Sequence, residues 1–190
     1  MKKTLLLAMI LPLCAGLCLT SCKKSNEDLL IGTWNVEKMS NVSYENGTKT
    51  GEENIPMGEQ SLVDYMGGGD IPAQLAALLQ SAKVNVKYSL TFEKNGNFAT
   101  AMSIKFTGLE ALIAAFPAAA TSFKDQTQSS SGTYTVDGDK LKIAVTNNTL
   151  DLEMFEGEIT IKSISKKQCV LETVIEDGVK KDVATITLSK

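Results

Sequence analysis

The sequence predicts an all-β protein with helical insertions: about eight antiparallel strands in an up-and-down barrel, interrupted by two short helical segments at about 59–83 and 108–123. Three observations predict it. Residues 84–92 alternate strictly, with Val84, Val86, Tyr88, Leu90 and Phe92 on one face and Asn85, Lys87, Ser89 and Thr91 on the other. A period of two over nine residues is the pattern of a half-buried strand. Short turn signals separate successive runs of this kind, and such close connections make neighbours antiparallel, since parallel pairs need long crossovers. The two exceptions carry apolar residues at helical spacing instead.

The elements follow in order. Residues 30–39, "LIGTWNVEKM", read as the first strand, and 42–56 as a polar loop or loose hairpin around "YENGTKTG". In the first helical segment Asp70 is the expected N-cap, Pro72 lies in the first turn, and Ile71, Leu75, Leu78, Leu79 and Ala82 share a face. The run Gly67-Gly68-Gly69 lacks the Lys-Ser/Thr of a phosphate loop and reads as a joint. Strand 84–92 turns at Asn95-Gly96, a hairpin signal, into an alternating run of Phe98, Thr100, Met102, Ile104 and Phe106. In the second helical segment Leu109, Leu112, Ile113 and Phe116 fall at helical spacing, and Pro117 ends or kinks the helix. Strands at 132–136 and 140–146 flank "DGD"; strands at 152–164, 168–176 and 181–188 close the count at eight. Eight strands close around an interior that side chains fill or that holds one small ligand. Closure also removes exposed sheet edges.

The N-terminus reads as an address. Lys2 and Lys3 precede an apolar stretch from Leu5 to Leu19, as in a secretory signal. That stretch is shorter than the roughly 20 residues of a spanning helix. Leu19-Thr20-Ser21-Cys22 resembles the bacterial lipobox. The resemblance implies cleavage before Cys22, a diacylglycerol on its sulfur and commonly a third acyl chain on its amine. Two or three chains hold a protein on a membrane, where one holds only marginally. The expected organisation is therefore 1–21 signal peptide, 22–29 lipidated tether and 30–190 barrel domain. Position 23 is Lys, so the aspartate that retains many lipoproteins in the inner membrane is absent. The expected location is the cell envelope, lipid-anchored in the outer membrane, with the periplasmic and surface faces both open.

Composition narrows the function. Without residues 1–21 the chain has 169 residues, 17 lysines and 22 acidic residues, a net charge of −5. That argues against a nucleic-acid partner. There is no histidine and no arginine. No Ser-His-Asp or Cys-His pair can be built, no His-based zinc site exists, and the bidentate arginine fork is missing. The chain is not expected to be an enzyme or to carry a metal or other cofactor. Cys14 and Cys18 leave with the signal and Cys22 is acylated, so Cys169 stands alone and reads as a core residue.

"IGTWNV" at 31–36 is similar to the Gly-x-Trp opening of lipocalins, and "YSLTFEKNGNF" at 88–98 and "GTYTVDGDKLKI" at 132–143 resemble internal hairpins of bacterial lipocalin-like lipoproteins. "ATITLSK" at 184–190 resembles their closing strand. With the lipobox, the chain resembles an uncharacterised family of secreted lipocalin-like lipoproteins of Gram-negative bacteria. The resemblance implies a lipocalin-like barrel with Trp34 plugging its closed end. Lipocalins stack a late-strand arginine on that tryptophan; here Lys181 or Lys190 would have to substitute. A small apolar or amphipathic ligand is one expected partner, contacted by Tyr88, Leu90, Phe92, Met102, Ile104, Tyr134, Ile143 and Ile161. The alternative is that these side chains fill the barrel and the chain is an interaction module docking another envelope protein or a glycan. The anchor is testable directly: Cys22→Ser should abolish metabolic labelling with radioactive palmitate and leave the chain uncleaved or soluble, and retained label would refute the assignment.

Overall fold

The strand that opens with Gly-x-Trp decides how the sheet closes. The structure is a computed structural model that describes residues 25–66, 72–148 and 158–190. Cys22, Asp70, the triple glycine, Ile71 and residues 152–157 of the expected sixth strand lie outside the described residues. A short helix α1 (Asn26–Leu30) leads into β1 (Gly32–Glu45), β2 (Thr48–Ile55) and β3 (Gly58–Ser61). Helices α2 (Leu62–Tyr65) and α3 (Ala73–Leu79) precede β4 (Lys83–Phe92) and β5 (Asn97–Thr107). Helices α4 (Glu110–Ala115) and α5 (Ala119–Ser122) precede β6 (Gln126–Asp137), β7 (Lys140–Asn148), β8 (Glu158–Ile164), β9 (Gln168–Asp177) and β10 (Lys180–Ser189). Neighbours from β4 to β10 pair antiparallel in chain order, and β10 pairs with β1. β1 also pairs with β4, through Gly32–Phe92, Thr33–Thr91, Trp34–Leu90 and Asn35–Ser89. Eight strands, β1 and β4–β10, therefore form a closed up-and-down antiparallel barrel, as the alternation predicts. Residues 84–92 and 97–106 pair as the expected hairpin, with Val86, Tyr88, Leu90 and Phe92 buried.

β2 and β3 are additional. After Asn35, β1 leaves β4, and a register shift between Val36 and Lys38 marks a bulge there. A bulge bends and twists its strand. The freed edge of β1 pairs with β2, and the freed edge of β4 pairs with β3. The loose hairpin expected around "YENGTKTG" is thus present, and most of 42–56 is strand. Asn46 and Gly47 both have positive φ and make the tight hairpin turn. β2 is exposed along its whole length, so no alternation marks it in the sequence.

One end of the barrel is sealed. Ser25 caps α1, accepting a hydrogen bond from the Asp28 amide. Residues 26–29, which fall in the expected tether, are helical. The Asn26 side-chain amide donates to the Gly138 carbonyl in the β6–β7 turn at 2.8 Å, so α1 lies across this end. Trp34 is fully buried, and its indole N–H donates to the Leu30 carbonyl at 2.6 Å. The Lys190 ammonium stands 4.2 Å from the Trp34 ring centre and donates to the carbonyls of Leu29 and Ile31. Lys190, not Lys181, takes the place of the arginine; Lys181 pairs with Glu176 at 2.9 Å. Gly32 permits the approach: its φ is +122°, and a Cβ there would lie 3.2 Å from Lys190 Cε. Above this seal Phe92 packs against Phe98 and Tyr134, with ring centres 5.3 and 5.1 Å apart. Leu141, Ile159, Ile161, Cys169, Leu171 and Leu188 complete a dry core.

A second cluster forms at the opposite end. Leu62, Leu79, Ala82, Leu109 and Leu112 are buried against Val84 and Val86, with Leu75, Leu78, Ile113, Ile104 and Phe106 half-buried around them. Both helical stripes thus pack, on each other and on the β4–β5 hairpin. Phe116 departs from its stripe and is 54% exposed. Pro117 disfavours helical backbone at the residue before it; Phe116 is extended, with φ −135° and ψ 84°, and leaves the face.

Two stability predictions follow from these clusters. Leu79→Ala should lower unfolding stability in urea by about 2–5 kcal/mol, the usual cost of a buried leucine truncation. The half-buried Leu78→Ala should cost clearly less, and the reverse order would contradict the packing. Lys190→Met should cost about 1–3 kcal/mol from the lost cation–ring contact and carbonyl hydrogen bonds. Lys190→Arg should retain most of it, and a neutral Lys190→Met would show that the clamp contributes nothing.

Candidate functional site

Beyond the bulge, the inward side chains of β2, β1, β10 and β9 form three cross-strand rows. The deepest runs Ile55–Met39–Ile186–Leu171, the next Glu53–Asn41–Ala184–Thr173, and the outermost Gly51–Ser43–Asp182–Ile175. Each row is set by the register, because alternate residues of a strand share a face. Among the described residues, the helical cluster covers the β3–β4–β5 side of this end and none covers the β2–β1–β10–β9 side. There the rows line a cavity of about 450 Å³. Met39, Ile186 and Ala184 make its floor, continuous with the barrel core, and Ile55 and Ile175 stand at its edges, 37% and 49% exposed. A partly open, apolar-floored recess of a few hundred cubic ångströms with a few polar groups is the general form of a small-molecule site.

The charged lining is one-sided, and Ser40, Thr173 and Thr185 add hydroxyls to it. Glu53 and Asp182 contribute carboxylates, and Ser43 donates its hydroxyl to Asp182. The side-chain oxygen of Asn41 is buried without a hydrogen-bond partner. An unsatisfied buried acceptor costs about 1–3 kcal/mol. Among the described residues no lysine lines the cavity.

The eight side chains singled out in the sequence lie deeper. Leu90, Phe92, Tyr134 and Ile161 are buried in the core above Trp34, and Tyr88 joins them. Met102 and Ile143 are half-buried against the same core, while Ile104 packs in the helical cluster. The structure brings seven together as packed interior, and none of the eight lines the mouth cavity. The Tyr134 hydroxyl donates to the Glu93 carbonyl at 2.9 Å, a structural tie to the β4–β5 turn. Burial raises the Tyr88 phenol well above its ordinary value, and the Thr100 hydroxyl beside it opposes that shift. Burial likewise pushes the Cys169 thiol up to about 12, against a weaker opposing effect of Lys190. A thiol protonated at neutral pH is no nucleophile, and Cys169 is a core residue as expected.

The mouth residues escaped the sequence reading because each strand contributes only one or two. The available signal was Asp182, Ala184 and Ile186 alternating at the start of the last strand, polar at the rim and apolar within. Among the described residues no group of three or more His, Cys, Asp or Glu is placed to hold a metal. No helix of the described residues is long and apolar enough to cross a membrane.

No protein-family profile matches the chain, and no curated protein matches it. Solved structures do resemble it. A complex of bovine odorant binding protein with a selenium-containing odorant is 15% identical with a TM-score of 0.37, over 88% of this chain and 73% of that one. A deswapped triple mutant of bovine odorant binding protein is 14% identical with a TM-score of 0.36, over 85% and 74%. The siderocalin Ex-FABP, described as functioning through dual ligand specificities, is 9% identical with a TM-score of 0.33, over 85% and 73%. The barrel assignment itself rests on the strand pairing.

Proposed function

We propose that the chain is a non-catalytic, lipid-anchored lipoprotein of the cell envelope whose lipocalin-like barrel binds a small apolar or amphipathic ligand in its mouth. The observation that carries the binding reading is the 450 Å³ recess, whose apolar floor is continuous with the core. The Gly-x-Trp opening, the eight-strand closure and the cation above Trp34 support the lipocalin-like description. The half-buried Met102 and Ile143 are the residues of the original set that a more deeply seated ligand would reach.

The anchor and outer-membrane location rest on the lipobox-like Leu19–Cys22 and on Lys23. Cys22 stands three residues before Ser25, which caps α1. Three residues span at most about 10 Å. On this reading the sealed end stands close to the lipid and the mouth opens away from it, so ligand exchanges with the aqueous phase.

A second reading, an interaction module for another envelope protein or a glycan, draws on Tyr65, Met66 and Phe116, exposed at the ends of α2 and α4. One variant separates the two. Ala184→Trp places an indole over the cavity floor at a position facing the recess. It should weaken binding of the neutral fluorophore N-phenyl-1-naphthylamine at least about tenfold, a loss of roughly 1.4 kcal/mol, with the melting midpoint little changed. Undiminished binding in a folded Ala184→Trp protein would overturn the mouth as the ligand site and favour the interaction module.

A further inference from the structure

We infer that the occupant of the mouth is a cationic amphiphile: an apolar body on Met39, Ile55 and Ile186, and an ammonium-type head held by Glu53 and Asp182. The inference rests on the ligand-binding reading above and adds the charge of the head group.

The geometry supplies the argument. Glu53 and Asn41 are cross-strand partners in one row, and Asp182 lies in the next row toward the rim. Two carboxylates on different strands therefore stand above an apolar floor. Both accept hydrogen bonds and carry negative charge. The Ser43 hydroxyl is already spent on Asp182. The nearby lysines do not reverse the sign: Lys49 pairs with Glu52, and Lys181 with Glu176, outside the cavity lining. A carboxylate head entering here would meet like charge. An ammonium offers three donors and a compensating charge. Charge-assisted hydrogen bonds are the stronger kind.

Equilibrium dialysis of the full chain in zwitterionic nanodiscs, with empty nanodiscs as the blank, tests the inference at neutral pH. The probes are octylamine, octanoate and octanol, which share a tail and differ in head group. Octylamine should bind about tenfold more tightly than octanoate, the effect of roughly one charge-assisted hydrogen bond, and added salt should narrow the gap. Asp182→Asn with Glu53→Gln should abolish that preference and leave octanol binding intact, which also shows that the variant folds. Octanoate binding as tightly as octylamine, or a preference that survives the double substitution, would overturn the cationic head while leaving the cavity as a ligand site. If none of the three binds above the blank, the ligand-binding reading falls and this inference falls with it.

Discussion

Closure of β1 onto β4 over only four residue pairs is the constraint on which the rest depends. Without it the sheet would be open, with long unpaired edges that invite association. A seam this short is weak in backbone hydrogen bonds alone. Its stability comes from what is packed behind it. Trp34 lies within the seam, opposite Leu90, and is fixed from below by the Leu30 carbonyl and from the side by Lys190. Lys190 also satisfies the carbonyls of Leu29 and Ile31, groups that a helix end leaves without intrahelical partners. One cation thus joins the last residue, the first helix and the closing tryptophan. Gly32 is required at that junction both for its positive φ and for the space a Cβ would take from Lys190.

The same seam explains why the two ends of the barrel differ. Below the bulge β1 and β4 are paired, and the interior is filled by Trp34, Phe92, Phe98 and Tyr134. Above it they diverge, and β2 and β3 extend the two separated edges. Met57, between β2 and β3, is half-buried against both apolar clusters and links them across the gap. The helices then cover the β4 side of the widened end. On the β1 side nothing described covers the inner faces of β1, β2, β9 and β10, and the cavity is the consequence. Filling the lower half gives the described residues, whose one cysteine is buried and unbonded, a sufficient core; the upper half is free to be shaped by its rim.

The eight barrel strands were legible in the sequence because each carries its own alternation or a turn signal at its end. Residues 84–92 show this most clearly, since every second side chain is buried. What escaped depends on partners distant in the chain. β2 has no buried residue and exists because β1 offers an edge. The first half of β6, "QTQSSS", has no apolar alternation, yet it pairs with β5 through residue 126 and buries Ser130. Lys190 was one of two candidates for the cation over Trp34, and only closure, which brings it to a carbonyl 161 positions away, selects it. The side chains singled out in the sequence lie in the core for a related reason. Strong alternation marks the best-packed positions, so a search for apolar periodicity finds barrel filler before it finds a cavity wall.

A ligand site at the end of a filled barrel must mix characters along single strands, and β10 shows how. Leu188 and Ile186 are buried, Ala184 is small and half-buried, and Asp182 is at the rim. The gradient from large apolar through small to charged follows the strand from the core to the water. It leaves space where Ala184 stands and puts charge where solvent still screens it, so the carboxylate avoids the several-kcal/mol penalty of an unpaired buried ion. β1 repeats the gradient with Met39, Asn41 and Ser43. Because β1 and β10 are antiparallel neighbours in register, the two gradients coincide row by row, and the polar groups converge on one part of the rim. A filled barrel with a uniformly polar rim would need no such agreement between strands; an apolar recess edged by carboxylates does.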